Sequence, residues 1–250
     1  MGKVQWVPWW WAVAGVAGLL IVGRFVPLSA AAWAAGAGYL VVSTVLLTRG
    51  LRRRRADRFG AANAVTATRS AMVGIITALV VAALEGAAST PLLVTLAAVA
   101  LALDGVDGYV ARRTATQSEL GARFDMEVDA YLLLVLCVYD VRLVGWWVLV
   151  IGLLRYAFVV AGWLLPWMRR PLPPRYWRKV VTAVCGVALT IVASQLLPPI
   201  AGVVVAGLAL IVVLESFGRD VLWLARLNRR GAALVSLEEA STIAPQQESR

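Results

Sequence analysis

Carboxylates are concentrated in one short stretch of the sequence. Six of the fourteen acidic residues lie between residues 104 and 129, which read DGVDGYVARRTATQSELGARFDMEVD. Asp104 and Asp107 are three residues apart, and Asp125 and Asp129 are four residues apart. Helical residues at these spacings lie on one face. The pattern therefore predicts two helices that each present a pair of aspartates, with a short turn near residue 116 between them.

Antiparallel packing of these two helices would bring the four aspartates together. Counted from the turn, Asp107 matches Asp125 in depth, and Asp104 matches Asp129, at about 1.5 Å of rise per residue. Four bare carboxylates would repel one another, and two divalent cations would remove that cost. Oxygen ligands favour Mg²⁺, Mn²⁺ or Ca²⁺. Two such metals, about 4 Å apart, form a clamp for displacement at phosphorus.

Neighbouring residues in the stretch suit a phosphate-bearing ligand. The small residues Gly108, Ala111 and Gly121 would leave room for a ligand against the helix backbones, and Arg112 would supply a positive charge at the mouth of the site. The sequence therefore predicts phosphoryl-type transfer in a cavity.

The chain contains no histidine. This absence excludes Ser-His-Asp and Cys-His catalysis, a histidine zinc site and a histidine proton shuttle. The two cysteines, Cys137 and Cys185, lie far apart in apolar runs and are interpreted as small hydrophobic residues. Proton chemistry in this protein should therefore use a carboxylate.

Composition indicates an all-α integral membrane protein. Hydrophobic residues make up 61% of the chain and charged residues only 15%, against about 25% charged in soluble domains. Stretches of suitable length predict about eight transmembrane helices. They lie at residues 9–22, 28–47, 71–84, 91–110, 120–139, 143–167, 180–197 and 200–214. Residues 1–50 would hold two additional N-terminal helices, and residues 51–230 would form the main membrane domain.

The basic residues predict an orientation. With alternating spans, 21 of the 24 lysines and arginines fall on the side that carries the run Arg52–Arg55, and positive charge favours the cytoplasmic side. Both termini and the mouth of the site are therefore expected to be cytoplasmic. The net charge of +10 is interpreted as this topology signal and as an attraction to anionic membrane lipids, so no nucleic-acid partner is expected.

Two segments outside the spans have their own predictions. Residues 51–66 are expected to form an interfacial helix at the start of the main domain, and Thr66 could cap the helix that follows. Residues 231–250 turn polar towards their end and are expected to be a disordered cytoplasmic tail.

The aspartate stretch fits the pattern D-x2-D-G-x2-A-R-x8-G-x3-D-x3-D at every fixed position. It resembles the CDP-alcohol phosphotransferase (CDP-alcohol phosphatidyltransferase) family of integral-membrane phospholipid synthases. The upstream segment Asn63–Arg69, NAVTATR, is similar to the N-x-L-T-x-x-R motif of that family, with Val65 in place of leucine. The resemblance covers roughly residues 63–226, which hold six spans, so the first two spans would be an addition to a six-helix core.

The resemblance implies a role for each matching position. Asp104, Asp107, Asp125 and Asp129 would ligate two divalent cations, Mg²⁺ or Mn²⁺, and Asp129 would also be the catalytic base that takes the proton of the acceptor hydroxyl. The residues expected to bind the nucleotide and its phosphates are Thr66, Arg69, Gly108, Ala111, Arg112 and Gly121.

The implied reaction is phospholipid synthesis from a CDP-linked donor. CDP-diacylglycerol or another CDP-alcohol would donate a substituted phosphoryl group to a small alcohol, and CMP would leave. Arg155 lies within a predicted span and is a candidate for binding an anionic acceptor such as glycerol 3-phosphate or inositol phosphate; pairing with a carboxylate of the aspartate stretch is the alternative. Serine, choline or a lipid alcohol stay open as acceptors. Glu127 is expected to pair with Arg123, four residues away.

Alternatives from other classes stay open at this point. The same carboxylates could form the permeation site of a divalent-cation transporter, or the chain could be an inactive scaffold member of the family. Faces rich in small residues would allow a homodimer, and a bacterial plasma membrane is the expected location.

Overall fold

The computed structural model is a helical bundle. It describes the backbone of residues 6–53, 61–87, 89–114, 119–170 and 176–243, and the side chains of these residues except 61–62, 106–114, 119, 176 and 230–243. The α-helices of this part of the chain are α1 (Val7–Val22), α2 (Ala30–Arg53), α3 (Ala61–Leu84), α4 (Thr90–Thr114), α5 (Glu119–Val144), α6 (Leu149–Leu164), α7 (Tyr176–Ala193) and α8 (Pro199–Ile243). Short 3₁₀ helices at Trp146–Val148 and Pro166–Arg169 flank α6.

Among the described residues, four helices are long and apolar enough to cross a membrane, in the ranges Ala30–Arg53, Asn63–Leu84, Trp146–Leu164 and Pro199–Arg229. The shorter helices Val7–Val22 and Thr90–Gly105 are also apolar. The prediction of an all-α fold is therefore confirmed for the described residues, and the apolar helices support the prediction of a membrane protein. Eight transmembrane spans stay a prediction, because α5 interrupts its apolar surface with charges that include Asp125 and Asp129.

Helix α3 lies at the centre of the bundle. In its most apolar stretch, 72% is buried inside the protein, whereas the buried share is 17% to 33% in the other three long apolar helices. Val73, Ile76 and Leu79 are almost fully enclosed and belong to the main core. Helices α1, α2, α4 and α5 all pack against α3. Side chains on the first turns of α3 can therefore reach several helices at once.

Side-chain contacts show which helix ends lie together. At one end Arg69, near the start of α3, reaches Asp104, on the second half of α4. At the other end Arg142, near the end of α5, donates a hydrogen bond to the carbonyl of Ala83, near the end of α3. Thr90 at the start of α4 contacts the Tyr139 hydroxyl at an O···O distance of 2.8 Å. Helices α3 and α5 therefore run antiparallel to α4, as the aspartate spacing predicted.

The structure differs from the sequence predictions at three boundaries. Helix α8 continues to Ile243, where a disordered tail was expected from residue 231, because this stretch is rich in the good helix formers Ala, Leu and Glu. Residues 244–250 lie outside the described part. Residues 51–66 were expected to form one interfacial helix. Instead, α2 ends at Arg53 and α3 begins at Ala61, so residues 51–53 and 61–66 belong to two long apolar helices. Residues 54–60 lie outside the described part of the chain. Thr66 is inside α3, not at its N-cap.

Candidate metal and phosphate site

Three aspartates of the sequence stretch meet between α4 and α5. Asp104, Asp125 and Asp129 each offer a carboxylate oxygen, and these oxygens lie within 4.8 Å of one another. The convergence predicted from their spacing is therefore confirmed for these three residues. The side chain of Asp107, the fourth predicted ligand, lies outside the described part of the structure.

Helix geometry explains why these side chains converge. Asp125 and Asp129 are one turn apart on α5, so both face the same neighbours. Helix α4 runs antiparallel to α5 and places Asp104 at the same depth as these two residues. Helix α3 packs against both α4 and α5 and closes the third side. The site is therefore built on three rigid helices and does not depend on a loop.

Arg69 of α3 binds all three carboxylates. Its Nη1 atom lies 3.0 Å from Asp104 Oδ1 and 2.5 Å from Asp125 Oδ1, and its Nη2 atom donates to Asp129. The remaining donor, Nε, is 3.1 Å from the carbonyl oxygen of Ala100 on α4. The guanidinium is fully buried, so these partners satisfy a charge that would otherwise be very costly at this depth.

The charges of this centre do not balance. One arginine faces three carboxylates, which leaves two negative charges in a partly desolvated position. A bound cation would offset this excess, and a site of oxygen donors alone suits a hard divalent ion. The donor set therefore fits Mg²⁺ or Mn²⁺, and no histidine or cysteine is needed.

The centre is accessible from the side of the aspartates. The side chains of Asp104, Asp125 and Asp129 keep 32%, 15% and 19% of their surface exposed, whereas Arg69 keeps none. A ligand that enters the site would therefore meet the carboxylates first, and Arg69 forms the closed floor beneath them.

The upstream motif lies beside this floor. Asn63, Thr66 and Arg69 follow one another at a spacing of three residues on α3, and all three are buried. Gly121 lies one turn before Asp125 on α5. The backbone of α4 carries Gly108, Ala111 and Arg112 in its last turns, but the side chains of these predicted phosphate-binding residues lie outside the described part.

Arg155 and Glu127 form an ion pair that joins α6 to α5. The expectation that Glu127 pairs with Arg123 is therefore wrong: the partner of Glu127 comes from the neighbouring helix. Arg155 uses Nη2 for this contact. Its Nε atom is buried and has no hydrogen-bond partner within the described part of the chain.

Sequence reasoning missed two features of the site. Arg69 was expected near a bound nucleotide, with pairing to a carboxylate of the stretch as the alternative, but simultaneous ion pairs with three aspartates were not predicted. A buried arginine one turn after the buried Thr66 was the available signal, since a charge within a membrane helix needs partners. The contacts of Tyr39, on α2, with residues near the centre were also not predicted. No pattern in the sequence indicated those contacts.

Comparison with known proteins agrees with this geometry. Residues 59–215 match the family described as CDP-alcohol phosphatidyltransferase, and this region includes Arg69 and the three converging aspartates. No curated protein matches the chain, and no solved structure does. Because the family match covers more than half of the chain, this protein belongs to the CDP-alcohol phosphatidyltransferase family.

Proposed function

We propose that this protein transfers a phosphatidyl group from CDP-diacylglycerol to the hydroxyl of a small alcohol. In this reaction the acceptor oxygen forms a bond to the phosphorus distal to cytidine. The bond between that phosphorus and the bridging oxygen of the pyrophosphate breaks, and CMP leaves. The family supports transfer from a CDP-alcohol in general, and the membrane setting of the helices supports a lipid donor.

The observation that carries the proposal is the cluster of buried Arg69 with three partly buried aspartates. These oxygens lie within 4.8 Å of one another inside a motif whose every fixed position matches the family pattern. Three partly buried carboxylates around one buried arginine carry an excess of negative charge, which is costly within an apolar bundle. Such a cluster is typical of a functional site.

Four aspartates are proposed to hold two divalent cations, Mg²⁺ or Mn²⁺. They are Asp104, Asp107, Asp125 and Asp129. When bound, the cations would neutralise negative charge on the pyrophosphate and on departing CMP. The ligand set is supported by the three described carboxylates, whose excess of negative charge calls for a cation.

Asp129 is the proposed base. Its carboxylate would accept the proton of the acceptor hydroxyl as the oxygen attacks the phosphorus. Because the chain contains no histidine, a carboxylate is the natural candidate for this base. Arg69 holds Asp129 from the buried side, so the carboxylate has a fixed orientation. Donor binding is assigned to positions around the centre, namely Thr66, Arg69, Gly108, Ala111, Arg112 and Gly121.

Arg155 is proposed to bind an anionic acceptor. Its side chain is 29% exposed, and Glu127 fixes one end of its guanidinium. The phosphate of an anionic acceptor could pair with the positive charge of this side chain. Glycerol 3-phosphate and inositol phosphate are therefore the favoured acceptors, ahead of serine or choline.

The proposed orientation has the mouth of the site and both termini at the cytoplasmic side. Arg52 and Arg53 end α2 at the same end of the bundle as the aspartates, because α3 starts there. Positive charge at that end favours the cytoplasm.

Reconstituted transfer activity tests the proposal. Purified protein would be incubated with labelled CDP-diacylglycerol, Mg²⁺ and each alcohol in turn, and CMP and the lipid product would be measured. We expect release of CMP in equal amount to a new phospholipid with one acceptor of the anionic group. Absence of product with every acceptor, together with metal flux through liposomes, would instead support a cation transporter, whereas absence of both would support an inactive scaffold.

A further inference from the structure

Helix α2 lies outside the region that matches the family, yet it reaches the aspartate centre. The match begins at residue 59, and α2 spans Ala30–Arg53. Tyr39 of this helix stacks on Tyr131 of α5, with ring centroids 4.4 Å apart and ring planes 22° apart. Its hydroxyl lies 3.3 Å from the hydroxyl oxygen of Ser70 on α3. One side chain of α2 therefore contacts two helices of the site.

The residues that Tyr39 contacts are close in sequence to members of the charged centre. Ser70 follows Arg69 in the sequence, and Tyr131 comes two residues after Asp129. Arg69 and Asp129 are themselves an ion pair between α3 and α5. Tyr39 thus lies across the same pair of helices whose relative position sets the contact between Arg69 and Asp129.

The backbone that carries Tyr39 is held firmly against α3. Gly36, one turn earlier on α2, packs so closely that an added Cβ would lie 2.9 Å from the Gly74 carbonyl oxygen and 3.0 Å from the Ala78 Cβ. Such contact leaves α2 little freedom to shift. Tyr39 therefore extends from a fixed point on α3 to the ring on α5.

We propose that Tyr39 is a positioning residue for the aspartate centre. Its ring holds α5 at the rotation and depth that bring Asp125 and Asp129 onto Arg69 and the bound cations. The stack carries more of this effect than the hydroxyl, because 3.3 Å is long for a hydrogen bond between hydroxyl groups. The inference rests on the proposed metal-dependent function of the same centre, and it gives α2 a role in it.

Removal of the ring tests this inference. Tyr39→Leu should weaken Mn²⁺ binding, measured by electron paramagnetic resonance, by about tenfold, in the range typical of residues that support metal ligands. It should lower kcat by a similar factor while the KM for the lipid donor changes little. Tyr39→Phe keeps the ring and should retain both properties. Tyr131→Leu removes the other ring of the stack and should give the same losses.

Trp33→Leu is the matched control, since it removes an aromatic ring from the first turn of α2, where Trp33 packs near Gly23 and not against α5 residue Tyr131. We expect this variant to lose stability but to bind Mn²⁺ like the wild type. Wild-type affinity in Tyr39→Leu, or an equal loss in Trp33→Leu, would overturn the inference. A wild-type protein that binds Mn²⁺ but transfers nothing would refute the proposed function, and the Mn²⁺ affinities would still test the role of Tyr39. If Tyr39→Leu does not fold, Tyr131→Leu decides.

Discussion

At the residue scale, Arg69 determines the electrostatics of the site. The sequence predicted the convergence of the aspartates because helical periodicity and a short turn are local properties. The alternative that Arg155 pairs with a carboxylate of the stretch is confirmed, but the sequence did not identify Glu127 as that carboxylate or the three partners of Arg69, because those contacts join residues that are far apart in sequence. Local spacing offered Arg123 as a partner for Glu127, and only the packing of α6 on α5 brings Arg155 to that position.

The buried position of Arg69 leads to a stability prediction. Arg69→Gln leaves three carboxylates without their cation and should lower the free energy of unfolding by about 3–5 kcal/mol without metal. Added Mn²⁺ should raise the free energy of unfolding of the variant more than that of the wild type, because the variant has a larger excess of negative charge. Equilibrium unfolding in mixed micelles measures both effects.

An exposed ion pair supplies the control for this substitution. Arg219 pairs with Glu215 one turn earlier on α8, and both side chains are largely open. Arg219→Gln should therefore cost at most about 0.5 kcal/mol. If Arg69→Gln lowers the free energy of unfolding no more than Arg219→Gln does, then the three ion pairs of Arg69 do not stabilise the protein as proposed.

At the element scale, the site depends on close packing between helices. Sequence patterns predict each helix but do not show which helices pack together. The close contact of Gly36 on α2 with α3, for example, emerged only from the fold. The length of α8 was underestimated because a polar composition after residue 230 was taken as a sign of disorder, although its residues favour a helix.

The contact between α2 and α3 makes Gly36 sensitive to substitution. Gly36→Ala should lower the free energy of unfolding by about 1–3 kcal/mol, because the added Cβ meets the backbone of Gly74. Gly38→Ala on the same helix has open space around its Cβ and should be neutral or gain up to about 1 kcal/mol. Equal effects of the two substitutions in the same unfolding assay would show that the close contact is unimportant.

The ion pair between α5 and α6 separates two roles of Arg155. Arg155→Gln should raise the KM for an anionic acceptor about tenfold, the effect of a lost hydrogen bond to a charged group. The exchange Arg155→Glu with Glu127→Arg restores opposite charges across the helices. It should not restore the KM, because the guanidinium then projects from α5. Recovery of the KM in the double variant would mean that Arg155 acts only as a structural partner.

At the scale of the whole molecule, arginine placement predicts orientation, and the fold agrees with an antiparallel bundle whose charged centre lies at one end. The number of spans could not be settled by composition, because α5 must carry the charges of the site. Orientation therefore calls for its own measurement.

Labelling of single cysteines tests the proposed orientation. The natural residues Cys137 and Cys185 are buried and should react little. Glu85→Cys lies at the end of the bundle opposite the site, and its cysteine should react with an impermeant maleimide in intact cells. Arg170→Cys should react only after lysis, because the arginine-rich end should face the cytoplasm. The reverse pattern would place the mouth of the site outside.

The release of CMP by Asp129→Asn, compared with Asp140→Asn, is the most direct test that the aspartate centre performs the transfer. Asp140 is a buried carboxylate on the same helix, outside the centre. Wild-type protein and Asp140→Asn should release CMP at similar rates with Mg²⁺, CDP-diacylglycerol and the acceptor, and Asp129→Asn should be slower by about 10²–10⁴-fold. A folded Asp129→Asn variant with the wild-type rate would contradict the assignment of Asp129 as the base.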